Sequence, residues 1–166
     1  MIKYIDCDGV ILDTETGLFD EYHEMKKDNP SLKKRQYLHD VDWEYWIWQA
    51  GVLNDAVEIL KNFDPKNVDI LTRVHSLNEA RAKINYFRNN GVRNNVIIVP
   101  DGMVKSSVVD PFQNVLVEDS NSNLEDWDSH LGIPIFYGDK ESIYPTVTSL
   151  ETVLDDEKFK SLVKRI

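Results

Sequence analysis

Five short apolar runs recur along the chain, at residues 2–5, 68–71, 96–99, 115–117 and 133–137. Each is continuous rather than alternating, the pattern of a strand buried on both faces of a parallel sheet. Between them the period lengthens to that of a helix. In "LNEARAKINYFRNN", residues 77–90, Leu77, Ala80, Ile84 and Phe87 share one face, and Gly91 follows as a stop. "NLEDWDSHLG" reads as a helix of about eight residues, with Asn123 at its cap and Gly132 beyond its end. From 149 to 164, Leu150, Val153, Leu154, Phe159, Leu162 and Val163 follow the spacing of a single final helix. Strand alternating with helix predicts an α/β fold, a doubly wound parallel sheet.

Residues 15–64 break that rhythm. They carry no strand signal, only helical or irregular patterns, and hold all but one of the tryptophans. The predicted organisation is therefore a core built from 1–14 and 65–166, with 15–64 as a helical insert after the first strand.

A length of 166 residues suits one domain with a real core, and 42% hydrophobic with 29% charged residues is ordinary for a globular chain. The formal net charge of −10 argues against a nucleic-acid polymer as partner. It leaves open a small anionic substrate, which responds to local charge. One cysteine, Cys7, allows no internal disulfide and fits a reducing compartment. No apolar run approaches the roughly 20 residues that span a bilayer, and acids interrupt the N-terminus too early for a signal peptide. The expected location is cytoplasmic, without membrane association; the oligomeric state is left open.

The first apolar run leads into "IDCDGVILDT", which crowds Asp6, Asp8 and Asp13 at one strand end. Repulsion and desolvation oppose that arrangement unless positive charge sits among the acids. Alternation along an extended segment points Asp6 and Asp8 the same way and Cys7 the other, while Gly9 permits a tight turn and close approach of a ligand. Ligands of open α/β sheets bind beyond the carboxyl ends of strands, where these acids lie. Paired hard oxygen ligands suit Mg²⁺, which would relieve the repulsion.

This decapeptide resembles the first motif of the haloacid dehalogenase superfamily of phosphohydrolases, an apolar strand followed by DxDGV and a downstream DT. Three later stretches resemble the family's other motifs in the right order: Thr72 in "VDILTRV", Lys105 in "GMVKSSVVDP", and Glu118 with Asp119 in "NVLVEDSNSN". The resemblance implies a phosphoryl transfer in two steps through an aspartyl-phosphate. In it Asp6 is the nucleophile and Asp8 the acid and then base. Thr72, Lys105 and the Gly9 turn hold the phosphoryl group. Mg²⁺ is held by the Asp6 carboxylate, the Asp8 main-chain carbonyl and Asp119, with Glu118 acting through a metal-bound water. Lys83, a rival for the third motif, lies mid-helix and reads as solvated. Asp13 and Thr14 read as buttresses of the turn. Arg73 reads as either a substrate contact or a surface ion pair.

The insert matches the place where the family carries a cap, and its small size brings to mind the 5′(3′)-deoxyribonucleotidase group. Trp43 and Trp46 in "DWEYWIWQ" then read as a stacking platform for a base or, at their helical spacing with Ile47, as cap core. The implied substrate is a small phosphorylated metabolite, a nucleoside monophosphate or a sugar phosphate. A phosphotransferase or mutase, and a non-catalytic binder of phosphate or Mg²⁺, are the rival readings.

Overall fold

A computed structural model describes residues 1–164; Arg165 and Ile166, the last two of the predicted core unit, lie outside the described residues. In chain order the elements are β1 (Lys3–Ile5), β2 (Leu12–Asp13), α1 (Glu15–Asp28), α2 (Lys34–Asp40), α3 (Trp43–Gln49), β3 (Gly51–Val52), α4 (Ala56–Asn62), β4 (Val68–Arg73) and α5 (Leu77–Asn89). Then follow β5 (Val96–Val99), a short 3₁₀ turn (Lys105–Ser107), β6 (Val115–Glu118), α6 (Asn121–Ser129), β7 (Ile133–Tyr137), β8 (Thr146–Val147), α7 (Glu151–Leu154) and α8 (Asp156–Val163).

All five apolar runs lie in one parallel sheet ordered β5-β4-β1-β6-β7-β8, flanked by helices. β1 is central, with Ile5 registered between Ile70 of β4 and Val117 of β6. Connections run outward in both directions from β1, so its carboxyl end is the topological switch point, where a crevice opens in such sheets. Alternate residues serve opposite faces. Ile5, Ile70, Val117 and Ile135 join the larger buried cluster, and Tyr4, Leu71, Leu116 and Phe136 join a second one around Trp127. Trp127 is fully buried, edge-on to Tyr4, and donates its indole N–H to the Asn114 carbonyl at 2.9 Å.

The structure corrects several sequence expectations. α6 begins two residues before Asn123, with Ser120 at its N-cap. The tail is two helices, because Asp155 leaves helical geometry (ψ 120°) and its carboxylate caps the second through the N–H groups of Glu157 and Lys158. α5 buries Glu79, Ala80, Ala82, Lys83, Tyr86 and Phe87, whereas Leu77, placed on the apolar face by its spacing, is 87% exposed. β2, β3 and β8 are each two residues long, too short to leave a periodic signal.

The insert folds as three helices, α1–α3, then crosses β3, which pairs antiparallel with β2, and returns through α4. Its apolar residues Leu18, Tyr22, Tyr37, Trp43 and Ile47 belong to the same buried cluster as Ile5 and Val117. Across the α3–α5 contact Trp48 meets Tyr86 edge-on, with ring centroids 5.1 Å apart. The insert is thus packed onto the sheet domain beside the end of β1.

Candidate active site

Past Ile5 the chain stays extended for one more residue, the Asp6 N–H donating to the Val117 carbonyl at 3.0 Å. It then folds tightly over Cys7, whose carbonyl accepts from the N–H groups of Val10, Ile11 and Leu12. Gly9 sits in this turn at φ +79°, and a Cβ there would lie 2.0 Å from Asp119 Oδ2. Only glycine combines that conformation with so close an approach. The loop carrying Asp6 and Asp8 is in this way pressed against the end of β6, which carries Glu118 and Asp119.

Two buried lysines divide the acids between them. Lys105 Nζ lies 2.8 Å from Asp6 Oδ1 and 2.6 Å from Glu118 Oε2. Glu118 Oε1 accepts from the Asp119 N–H at 3.2 Å, so both oxygens of Glu118 have protein donors. Lys83 Nζ lies 2.7 Å from Asp8 Oδ2 and 2.6 Å from Glu79 Oε2, and it donates to Thr72 Oγ1 at 2.9 Å. Lys83 is therefore not solvated, as its mid-helix place suggested, but fully buried. Thr14 donates to Asp8 Oδ1 at 2.7 Å, which makes it a direct holder of Asp8; Asp13 accepts locally from Thr16.

Charges in this cluster shift in opposite directions. Burial and the neighbouring Glu118 push Asp6 up to about 8, with Lys105 only partly offsetting them. Burial also raises Glu118 and Asp119. Burial works against the charge on Asp8 as well, but Lys83 and the Thr14 hydroxyl outweigh it and hold that carboxyl below its ordinary range. Asp6, Glu118 and Asp119 can each direct an oxygen to within 4.8 Å of the others'. Lys105 pairs with two of the three, Asp6 and Glu118, which leaves a surplus of negative charge on hard oxygen donors. Such a donor set fits Mg²⁺.

A cavity of about 420 Å³ adjoins Asp8 and Thr14. Phe19, Leu38 and Trp43 form its apolar wall, Lys34 and Arg35 bring cations to it, and Glu15, Glu79 and Asp101 bring acids, Asp101 pairing with Arg35 at 2.7 Å. Trp43, 4% exposed, donates its indole N–H to the Leu38 carbonyl at 2.8 Å and stacks on His75 with ring planes 1° apart. Trp46 lies away from this cavity, packed on Gly17 and edge-on to Tyr45. Arg73 does not line it either; its Nε is buried without a hydrogen-bond partner among the described residues.

Asp6, Gly9, Lys105, Glu118 and Asp119 thus meet in one cluster, and Asp8 and Thr72 meet around Lys83. Sequence reading named Lys83 only to set it aside as solvated, and it missed Glu79 and His75. A signal for Glu79 was present: "SLNE" at 76–79 has the capping-box pattern, and Glu79 and Lys83 fall four apart on one helix face. Ser76 indeed caps α5 through the Glu79 N–H at 3.1 Å.

The sequence matches no protein-family model and no curated protein sequence. Its structure does match solved ones. A haloacid dehalogenase (HAD) hydrolase, family IA, variant 3, from Entamoeba histolytica superposes with a TM-score of 0.65 at 12% identity, covering 98% of this chain and 99% of that one. A HAD-superfamily hydrolase from Ehrlichia chaffeensis gives 0.57 at 14% identity, covering 98% and 97%. D,D-heptose 1,7-bisphosphate phosphatase from Burkholderia thailandensis gives 0.55 at 12% identity, covering 94% and 97%. At these identities the likeness is one of fold: the chain has the α/β architecture found in HAD-superfamily hydrolases.

Proposed function

We propose that the chain is a Mg²⁺-dependent phosphomonoester hydrolase that works through an aspartyl-phosphate on Asp6. The observation that carries this reading is the pairing of Asp6 with Lys105 at 2.8 Å, between Asp8 on the same loop and Asp119 against Gly9. A carboxylate can attack phosphorus only where nearby positive charge offsets its own repulsion from the phosphate.

In this reading Asp6 gives up its proton as one of its oxygens forms the new P–O bond and the ester P–O bond breaks. Asp8, ionised beside Lys83, takes up that proton and passes it to the departing oxygen. Asp8 then takes a proton from the water that attacks the aspartyl-phosphate, which releases phosphate and restores Asp6. Lys105 and Thr72 hold the phosphoryl oxygens as point charge and hydroxyl donor. Glu118, bonded to both Lys105 and the Asp119 N–H, holds these two neighbours in place. Mg²⁺, held by the Asp6 carboxylate, the Asp8 main-chain carbonyl and Asp119, would supply neutralisation of charge on those oxygens. Residues 15–64 act as a cap that shields the site from water.

The substrate is a small phosphorylated metabolite whose leaving group occupies the cavity beside Asp8. Half-buried Phe19 and the rim of Trp43, which is otherwise buried and stacked on His75, give the cavity an aromatic wall that favours a nucleoside monophosphate, the substrate class of the deoxyribonucleotidase-like group. Lys34 favours the second reading, a sugar phosphate; Arg35 is already paired with Asp101 at 2.7 Å.

The test is a panel of phosphomonoesters assayed with Mg²⁺ and with a chelator, on wild type and on Asp6→Asn. Wild type is expected to turn over only with the metal, and Asp6→Asn to show no turnover while melting as a folded protein. Appreciable hydrolysis by purified Asp6→Asn would sink the mechanism.

A further inference from the structure

Lys83 makes four close contacts from a fully buried position: Asp8 Oδ2 at 2.7 Å, Glu79 Oε2 at 2.6 Å, Thr72 Oγ1 at 2.9 Å and the Arg73 carbonyl at 3.2 Å. Stability does not explain it. A buried ion pair is commonly no better than apolar side chains of similar volume, and α5 offers Ala82, Tyr86 and Phe87 as apolar neighbours on the same face. Nor does Lys83 serve the nucleophile, since Lys105 occupies Asp6. What Lys83 touches is the second aspartate and the second-motif threonine.

We propose that Lys83 is a positioning residue for Asp8: one buried ammonium, braced by Glu79, holds the Asp8 carboxylate and the Thr72 hydroxyl in a fixed relation. With Thr14 on Oδ1 and Lys83 on Oδ2, Asp8 is gripped at both oxygens. Each oxygen keeps a further lone pair free for a proton. Glu79 is itself pinned, because its Oε1 accepts from the His75 N–H at 3.0 Å and lies 2.9 Å from His75 Nδ1. His75 in turn stacks on Trp43 of the insert. The brace thus runs from the cavity wall to the residue that handles the leaving group's proton. Displacements of about 1 Å at such a group cost roughly a hundredfold in rate.

This inference rests on the reading of Asp8 as the leaving-group acid, and two measurements separate the two. Lys83→Met alone strands the Glu79 charge, so the double variant Glu79→Gln/Lys83→Met is tested beside it. Both are assayed with Mg²⁺ on a series from dinitrophenyl phosphate, whose leaving group departs without a proton, to an alkyl phosphate, whose leaving group needs one. Acid catalysis is worth about 10²–10⁴-fold, so kcat/KM on the alkyl phosphate is expected to fall at least about tenfold more than on dinitrophenyl phosphate. A crystal structure of the double variant is expected to show the Asp8 carboxylate turned off the Thr14 hydroxyl. An equal loss along the series, with or without a lower melting temperature, overturns the proposal, as does an Asp8 that stays in place. If wild type hydrolyses none of the series, the hydrolase reading fails by itself, and the Asp8 position in the variant crystal alone decides the role of Lys83.

Discussion

Asp119 and Glu118 are adjacent, yet the structure gives them different surroundings. Asp119 lies against Gly9, where no side chain fits, on the same side as Asp6; Glu118 is bound at both oxygens, by Lys105 and by the Asp119 N–H. Under the proposed function the first is a metal ligand and the second the anchor of a lysine, although Glu118 also has an oxygen within reach of the other two acids. Losing a group that merely supports a ligand typically costs about 10–100-fold in metal affinity. Asp119→Ala is accordingly expected to weaken Mg²⁺ binding more than Glu118→Ala does, while Glu118→Ala harms turnover at saturating Mg²⁺ by loosening Lys105. Calorimetric titration of Mg²⁺ with both variants checks the order; a larger binding defect in Glu118→Ala reverses the assignment.

At the scale of elements, the features that sequence reveals are those decided locally. Thr72, Lys105, Glu118 and Asp119 each follow an apolar run or turn whose chain order and strand-end placement could be read directly, as could the five main strands. Lys83 could not be read in this way. A lysine inside a helix usually reaches water with its head group, and only the packing of α5 beneath α3, which brings Asp8 to the ammonium that Glu79 already meets one turn back on the same helix, determines that this one does not. The insert is intermediate: its helices follow from the missing strand pattern, but which tryptophan faces the cavity depends on how α3 docks. Trp43 lines the cavity, Trp46 packs elsewhere in the insert, and Trp48 is half exposed against Tyr86. Base stacking is worth about 1–3 kcal/mol, so Trp43→Leu is expected to lower kcat/KM for nucleotides roughly five-fold to 150-fold while sparing an aryl phosphate. An equal loss on both substrates, with a lower melting temperature, would leave Trp43 as packing alone and favour the sugar-phosphate reading.

For the molecule as a whole, the acids at the ends of β1 and β6 link pH to stability, and under the proposed function to the metal as well. Asp6 ionises near 3.8 when unfolded but near 8 in the fold, and burial moves Glu118 and Asp119 upward too. A group raised in the folded state contributes stability below its unfolded value and loses it as pH rises through its folded value. Without metal these carboxylates therefore favour the fold most at low pH. Mg²⁺ held as proposed by Asp6 and Asp119 would take only their ionised forms, so its affinity would climb as the protons leave. The gain in melting temperature on adding Mg²⁺ is expected to grow from about pH 5 to about pH 8; a gain that is flat or shrinks over that range contradicts the site. The central claim is that Asp6 becomes phosphorylated, and the most direct measurement is the mass of the intact protein quenched in acid during turnover. The account predicts a population heavier by one phosphoryl group, mapped by peptide fragmentation to Asp6 and missing from Asp6→Asn. A protein that turns over with no such adduct, or with the phosphoryl group on another residue, would contradict it.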